Sequence, residues 1–119
     1  MTHQERLTFW RLLLAVALTF AITMALLPQP PALPVGDKWQ HMAAFGTLTV
    51  LSILAYPRAS LLQVGERLSF LGAMIELVQS LPVLHRDCDI MDWVADTVVI
   101  IGVIAVVVVF RHFRGDARL

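Results

Sequence analysis

The chain has 119 residues, 58% of them hydrophobic, with nine basic and nine acidic side chains and a formal net charge of zero. Soluble domains run at roughly 45–50% apolar, and short chains bury the smallest fraction of their surface, so this composition implies lipid rather than water as the solvent. The charge balance argues against a nucleic-acid partner, and the single cysteine, Cys88, excludes an internal disulfide or a cysteine-based zinc cluster.

In chain order, Arg6 and Arg11 precede an apolar run, and with Phe9 and Trp10 included a first span is expected over about residues 9–27. That length suits an apolar bilayer core of roughly 30 Å at about 1.5 Å per residue. A cleaved signal peptide is the rival reading, disfavoured because the run is long and the following PQPPALP holds no small-x-small cleavage site. Pro28, Pro30, Pro31 and Pro34 make an extended connector. Gly36-Asp37 then starts a helix, Asp37 being suited to cap it, and a second span is expected over about residues 39–56, ending before Pro57.

Residues 58–67 read as a polar connector with at most an interfacial helical turn. A third span follows over about residues 68–84, the least hydrophobic of the set, with Glu76, Gln79 and Pro82 inside it. The loop from His85 leads to a fourth span over about residues 93–110. Its Val/Ile content would suit a strand in water, but a lone strand in lipid leaves its backbone groups unpaired, so a helix is required.

The expected fold is therefore an all-α integral membrane four-helix bundle forming one domain. Seven basic residues (Arg6, Arg11, Arg58, Arg67, Arg111, Arg114 and Arg118) fall on the N-terminal side of the membrane, and only Lys38 and Arg86 on the other. This bias predicts both termini inside, in a multi-pass protein of the bacterial inner (plasma) membrane. Trp10 and Tyr56 would mark the inner interface, Trp39 and Trp93 the outer one.

Under that topology six of the nine acids, Asp37, Glu76, Asp87, Asp89, Asp92 and Asp96, lie at the outer (periplasmic) face or in the outer half of the membrane. Short loops need no such concentration, and ionisable groups within a span are costly unless paired or wetted. Glu76 and Gln79 share a helix face, and so do Asp92 and Asp96. Each pair reads either as a functional site or as polar glue between helices. Asp92 alone also reads as an N-cap, whereas Asp96 is too deep for one. His41 lies one turn below Asp37 and Lys38. Arg86 can clamp a carboxylate or phosphate, or pair with Asp87 or Asp89.

The candidate ligand-binding residues are thus Asp37, Lys38, His41, Glu76, Gln79, Arg86, Asp89, Asp92 and Asp96. Three chemistries are compatible with them: a divalent metal site, proton movement by a Glu–His pair, or capture of a lipid head group. The spacing Asp87-x-Asp89-x-x-Asp92 lacks the glycine and glutamate of an EF-hand loop.

Three of these pieces stand in an order that resembles the VanZ-like family of small membrane proteins. They are Asp37-Lys38-x-x-His41-x-x-x-Phe45, Glu76-x-x-Gln79 and Arg86-x-x-Asp89-Ile90-x-Asp92, together covering roughly residues 36 to 103. Asp96 and Val99 stand where the family pattern would have Asn and Gly. The resemblance implies a cell-envelope location and an association with resistance to lipid-bearing glycopeptide antibiotics such as teicoplanin, without implying a reaction. The function expected first is an outward-facing pocket that binds an envelope lipid or lipid-linked ligand. The alternatives are a metal-dependent membrane enzyme acting on a lipid head group and a purely structural subunit. The partner is membrane lipid, with a homo-oligomer left open.

Overall fold

The computed structural model describes residues 1–27, 37–84, 89–116 and 118–119, the side chain of Asp37 excepted. The helices are α1 (His3–Leu26), α2 (Asp37–Ala55), α3 (Leu61–Gln79) and α4 (Ile90–Phe113), with a 3-10 turn at Pro82–Leu84 and no strand among the described residues. The Val/Ile-rich fourth segment is helical, as expected. The proline connector and residues 85–88, Arg86 and Cys88 among them, lie outside the described residues.

Four helix ends depart from the expected spans for a local reason. α1 begins at His3 rather than near Phe9 because Thr2 and Glu5 form a capping box. The Thr2 hydroxyl accepts from the Glu5 N–H at 3.1 Å, and the Glu5 carboxylate accepts from the Thr2 N–H at 2.7 Å. α3 begins at Leu61, so the expected polar connector shrinks to residues 56–60. Leu61, Val64 and Leu68 continue the buried stripe of Gly72, Ile75, Glu76 and Gln79, while Gln63, Glu66 and Arg67 point outward. The first turn of α3 is closed by the Leu119 carbonyl oxygen, which accepts from the Leu61 N–H and from the Ser60 hydroxyl.

α4 runs on to Phe113 and stops in a Schellman motif. The Gly115 N–H returns to the His112 carbonyl and the Asp116 N–H to the Arg111 carbonyl, at 3.1 and 2.7 Å. Gly115 supplies the positive φ of 78° that this turn needs. At its other end α4 is capped by Asp89, whose carboxylate accepts from the Met91 N–H at 2.9 Å. The cap is thus Asp89, and Asp92 lies inside the first turn.

α2 packs against α1 and α4, and α3 packs against α4, with less extensive contacts between α2 and α3 and between α1 and α3. Three contacts give the directions. Arg11 at the start of α1 donates to the Ala55 carbonyl at the end of α2 (3.0 Å), so these two are antiparallel. Gln79 at the end of α3 donates to Ala25 at the end of α1, so α1 and α3 run parallel. His41 near the start of α2 faces Asp96 near the start of α4, so these neighbours also run parallel. The consequence is that the N-termini of α2 and α4 and the C-termini of α1 and α3 meet at one end of the molecule.

The core between them is Leu14, Phe45, Leu48, Leu51, Ala55, Val64, Leu68, Ile75 and Ile100. The outside is apolar too. Val16 and Phe20 on α1 and Ile101, Val106 and Phe110 on α4 are 59–68% exposed. These two helices are long and apolar enough to cross a membrane. Yet α1 buries only Leu14, and α4 only Asp92, Asp96 and Ile100. The buried side of α4 is therefore more polar than its exposed side, the reverse of a helix in water.

Candidate functional site

The end where α2 and α4 begin carries the polar cluster. α2 delivers His41 from its second turn, and α3 delivers Glu76 one turn before its end. α4 delivers Asp92 and, one turn deeper, Asp96. Glu76, Asp92 and Asp96 are 6%, 9% and 1% exposed. The His41 Nδ1 and Asp96 Oδ1 atoms lie 3.4 Å apart, an ion-pair distance without the alignment of a hydrogen bond. His41, Glu76 and Asp92 each offer a ligand atom within 4.8 Å of the other two.

Glu76 is held at the α3–α4 corner, where its Oε2 accepts from the Asp89 N–H at 3.1 Å. Its other oxygen, Oε1, is buried and has no hydrogen-bond partner among the described residues, and the same holds for both Asp96 carboxylate oxygens. Buried polar atoms in folded proteins are nearly always satisfied, so these acceptors mark the place in the fold best suited to a donor or a cation.

The remaining candidates sit around this cluster in different ways. Gln79 is buried and turns toward α1, its amide donating to the Ala25 carbonyl at 2.7 Å. Asp89 is exposed, and its side chain serves the α4 cap. Lys38 is exposed in the first turn of α2. The side chain of Asp37, and Arg86 entirely, lie outside the described residues.

Two residues not counted among the candidates shape the site. A Cβ on Gly72 would meet Asp96 Oδ2 at 3.1 Å and Trp93 Cδ1 at 3.4 Å, so the glycine lets the buried carboxylate lie this close to α3 without displacement. Trp93, expected at the outer interface, instead folds along α3 and donates its indole N–H to the Ser69 carbonyl at 3.0 Å. Beside it the Thr97 hydroxyl donates to the Trp93 carbonyl, which leaves Ser69 as the donor in the 2.9 Å Ser69–Thr97 contact. This polar seam locks α3 to α4 directly beneath Asp96. A glycine four residues before Glu76, on the same helix face, is the signal from which the close approach was readable.

At the opposite end a cavity of about 210 Å³ opens among α1, α2 and α3, lined by residues that include Leu14, Ser52, Tyr56, Gln63 and Arg67. Arg11 stacks over the Tyr56 ring there at 4.7 Å. None of the convergent carboxylates reaches it.

Comparisons with family models, curated proteins and solved structures find no match to this chain.

Proposed function

We propose that the chain is a four-span, VanZ-like protein of the bacterial inner membrane, with both termini inside. We propose further that its outer-end pocket binds the polar head of an envelope lipid or lipid-linked ligand. The membrane part is supported by α1 and α4, which expose their apolar faces, and by α4 turning its carboxylates Asp92 and Asp96 inward. At 19 residues each, α2 and α3 reach about 28 Å at helical rise, close to the thickness of the apolar core. The inside orientation rests on the seven-to-two distribution of basic residues.

The observation that carries the functional part is the buried convergence of His41, Glu76, Asp92 and Asp96 from three helices, with acceptor oxygens left open. Helix glue needs paired groups, as Ser69, Thr97 and Trp93 are paired, and Glu76 Oε1 is not. Hydroxyl or ammonium groups of a lipid head are donors that such oxygens accept. Lys38, exposed at the same end, is a cation that a phosphate of the same head group would meet.

The test is native mass spectrometry of the gently solubilised protein. A retained lipid is expected in the wild type and in Arg58→Ala, and loss of that lipid in Glu76→Ala and Lys38→Ala. Wild-type protein that carries no lipid above the level of a detergent-washed control overturns the reading.

A further inference from the structure

We propose that His41, Glu76 and Asp92 ligate one divalent first-row transition-metal ion, with Asp96 behind His41 as the carboxylate that orients it. The inference uses the same cluster as the lipid reading and does not depend on it. It starts from an open acceptor. Glu76, Asp92 and Asp96 are buried at the end of the molecule that carries His41, and Glu76 Oε1, fully buried on a side chain only 6% exposed, has no hydrogen-bond partner among the described residues. Taking an ionised carboxylate out of water is costly unless a counter-charge accompanies it. A divalent cation supplies that counter-charge and fills the open coordination at Glu76 Oε1.

The geometry suits an ion. Three atoms all within 4.8 Å of one another lie no more than about 2.8 Å from a common point, whereas a Zn–O or Zn–N bond is about 2.0–2.2 Å. Each donor thus has at most roughly 0.7 Å to travel, within the reach of side-chain torsions without moving a helix. With Asp96 facing Nδ1 at 3.4 Å, the proposed ion takes Nε2. Tightening of that contact on metal binding would complete a carboxylate–histidine–metal arrangement, in which the outer carboxylate fixes the ring orientation and tautomer. Gly72 makes room for it.

Donor chemistry selects the ion. Calcium takes six to eight oxygens and magnesium keeps most of its waters, while one imidazole with two carboxylates suits zinc, manganese, iron or cobalt. Three protein donors leave a coordination position for an outside ligand.

The full chain, purified in detergent and stripped with a chelator, is titrated with Co²⁺ as the spectroscopic probe, then with Zn²⁺, Ca²⁺ and Mg²⁺. One equivalent of Co²⁺ is expected to bind with visible d–d absorption, to be displaced by one equivalent of Zn²⁺, and to resist Ca²⁺ and Mg²⁺. His41→Ala and Glu76→Gln should abolish the band. Asp96→Asn should keep the band and weaken affinity about 10–100-fold. Wild-type protein without stoichiometric Co²⁺ overturns the proposal whatever the variants do. So does a band unchanged in His41→Ala, which would place the ion at another histidine such as His3 or His112. Counting lipid in the same samples separates the two readings: metal without lipid sinks the lipid pocket alone, and lipid without metal sinks the metal site alone.

Discussion

At the level of single residues, the Glu76 carboxylate has two separable duties. One oxygen closes the α3–α4 corner through the Asp89 N–H, and the other faces the cluster. Glu76→Gln keeps an acceptor for that N–H and removes the charge, so the fold should persist. Glu76→Ala removes the acceptor as well and should cost about 1 kcal/mol of stability, the usual worth of a protein hydrogen bond. Thermal unfolding in detergent separates the two variants, and an equal loss in both would show that the Asp89 contact contributes nothing. Gly72→Ala is the complementary change. Its new Cβ would press on Asp96 Oδ2 from 3.1 Å, so we expect about 1–3 kcal/mol of overpacking strain together with weakened Co²⁺ binding. Unchanged cobalt affinity in a folded Gly72→Ala protein would mean that Asp96 is not held by this contact. Of the site, His41, Glu76, Asp92 and Asp96 were legible because charge inside an apolar run stands out. Their mutual distances were not legible, because helix period relates residues on one helix and says nothing about which helices are neighbours.

At the level of elements, the seam between α3 and α4 and the docking of α1 use different means. The α3–α4 seam is a chain of hydrogen bonds through Ser69, Thr97 and Trp93. Trp93→Phe keeps an aromatic ring and deletes one donor, with an expected loss of about 0.5–1.5 kcal/mol by thermal unfolding. A loss of several kcal/mol would mean that indole packing, not the hydrogen bond, joins the helices. α1 touches the rest through Trp10, Leu14, Ala17, Leu18, Ala21 and Ala25 and is tied at its end by Gln79. Gln79→Leu should leave the cluster's cobalt binding intact while raising hydrogen exchange in the last turn of α1, and no change there would make the 2.7 Å contact energetically idle. The element ends were partly readable. The Thr2-x-x-Glu5 box and Gly115 are sequence signals that account for a longer α1 and α4. The start of α3 needed the stripe Leu61–Val64–Leu68, which the neighbouring Gln63, Glu66 and Arg67 disguise as connector.

For the whole molecule, the parallel pairing of α2 with α4 creates the site. A simple up-and-down ring would set α2 beside antiparallel neighbours only. Here the two helices that begin at the same end lie together, so His41 meets Asp96 although they are 55 positions apart. The proposed topology has a direct check in reporter fusions. Fluorescent protein fused after Leu119 should fluoresce, and alkaline phosphatase inserted between α3 and α4 should be active; the opposite pair of results would invert or break the four-span arrangement. The sequence by itself determined an all-helical chain, read as four spans of which α1 and α4 are long and apolar enough to cross a bilayer, because apolar run length and backbone hydrogen bonding favour helices in lipid. It also determined that polar chemistry gathers toward one end, because loops and spans alternate along the chain. Only the tertiary structure decided which polar groups meet, that Gln79 turns to α1, that Asp89 caps α4, and that Trp93 lies inside the seam. Those outcomes depend on which helix faces pack together, and that choice is made by side-chain contacts between distant segments.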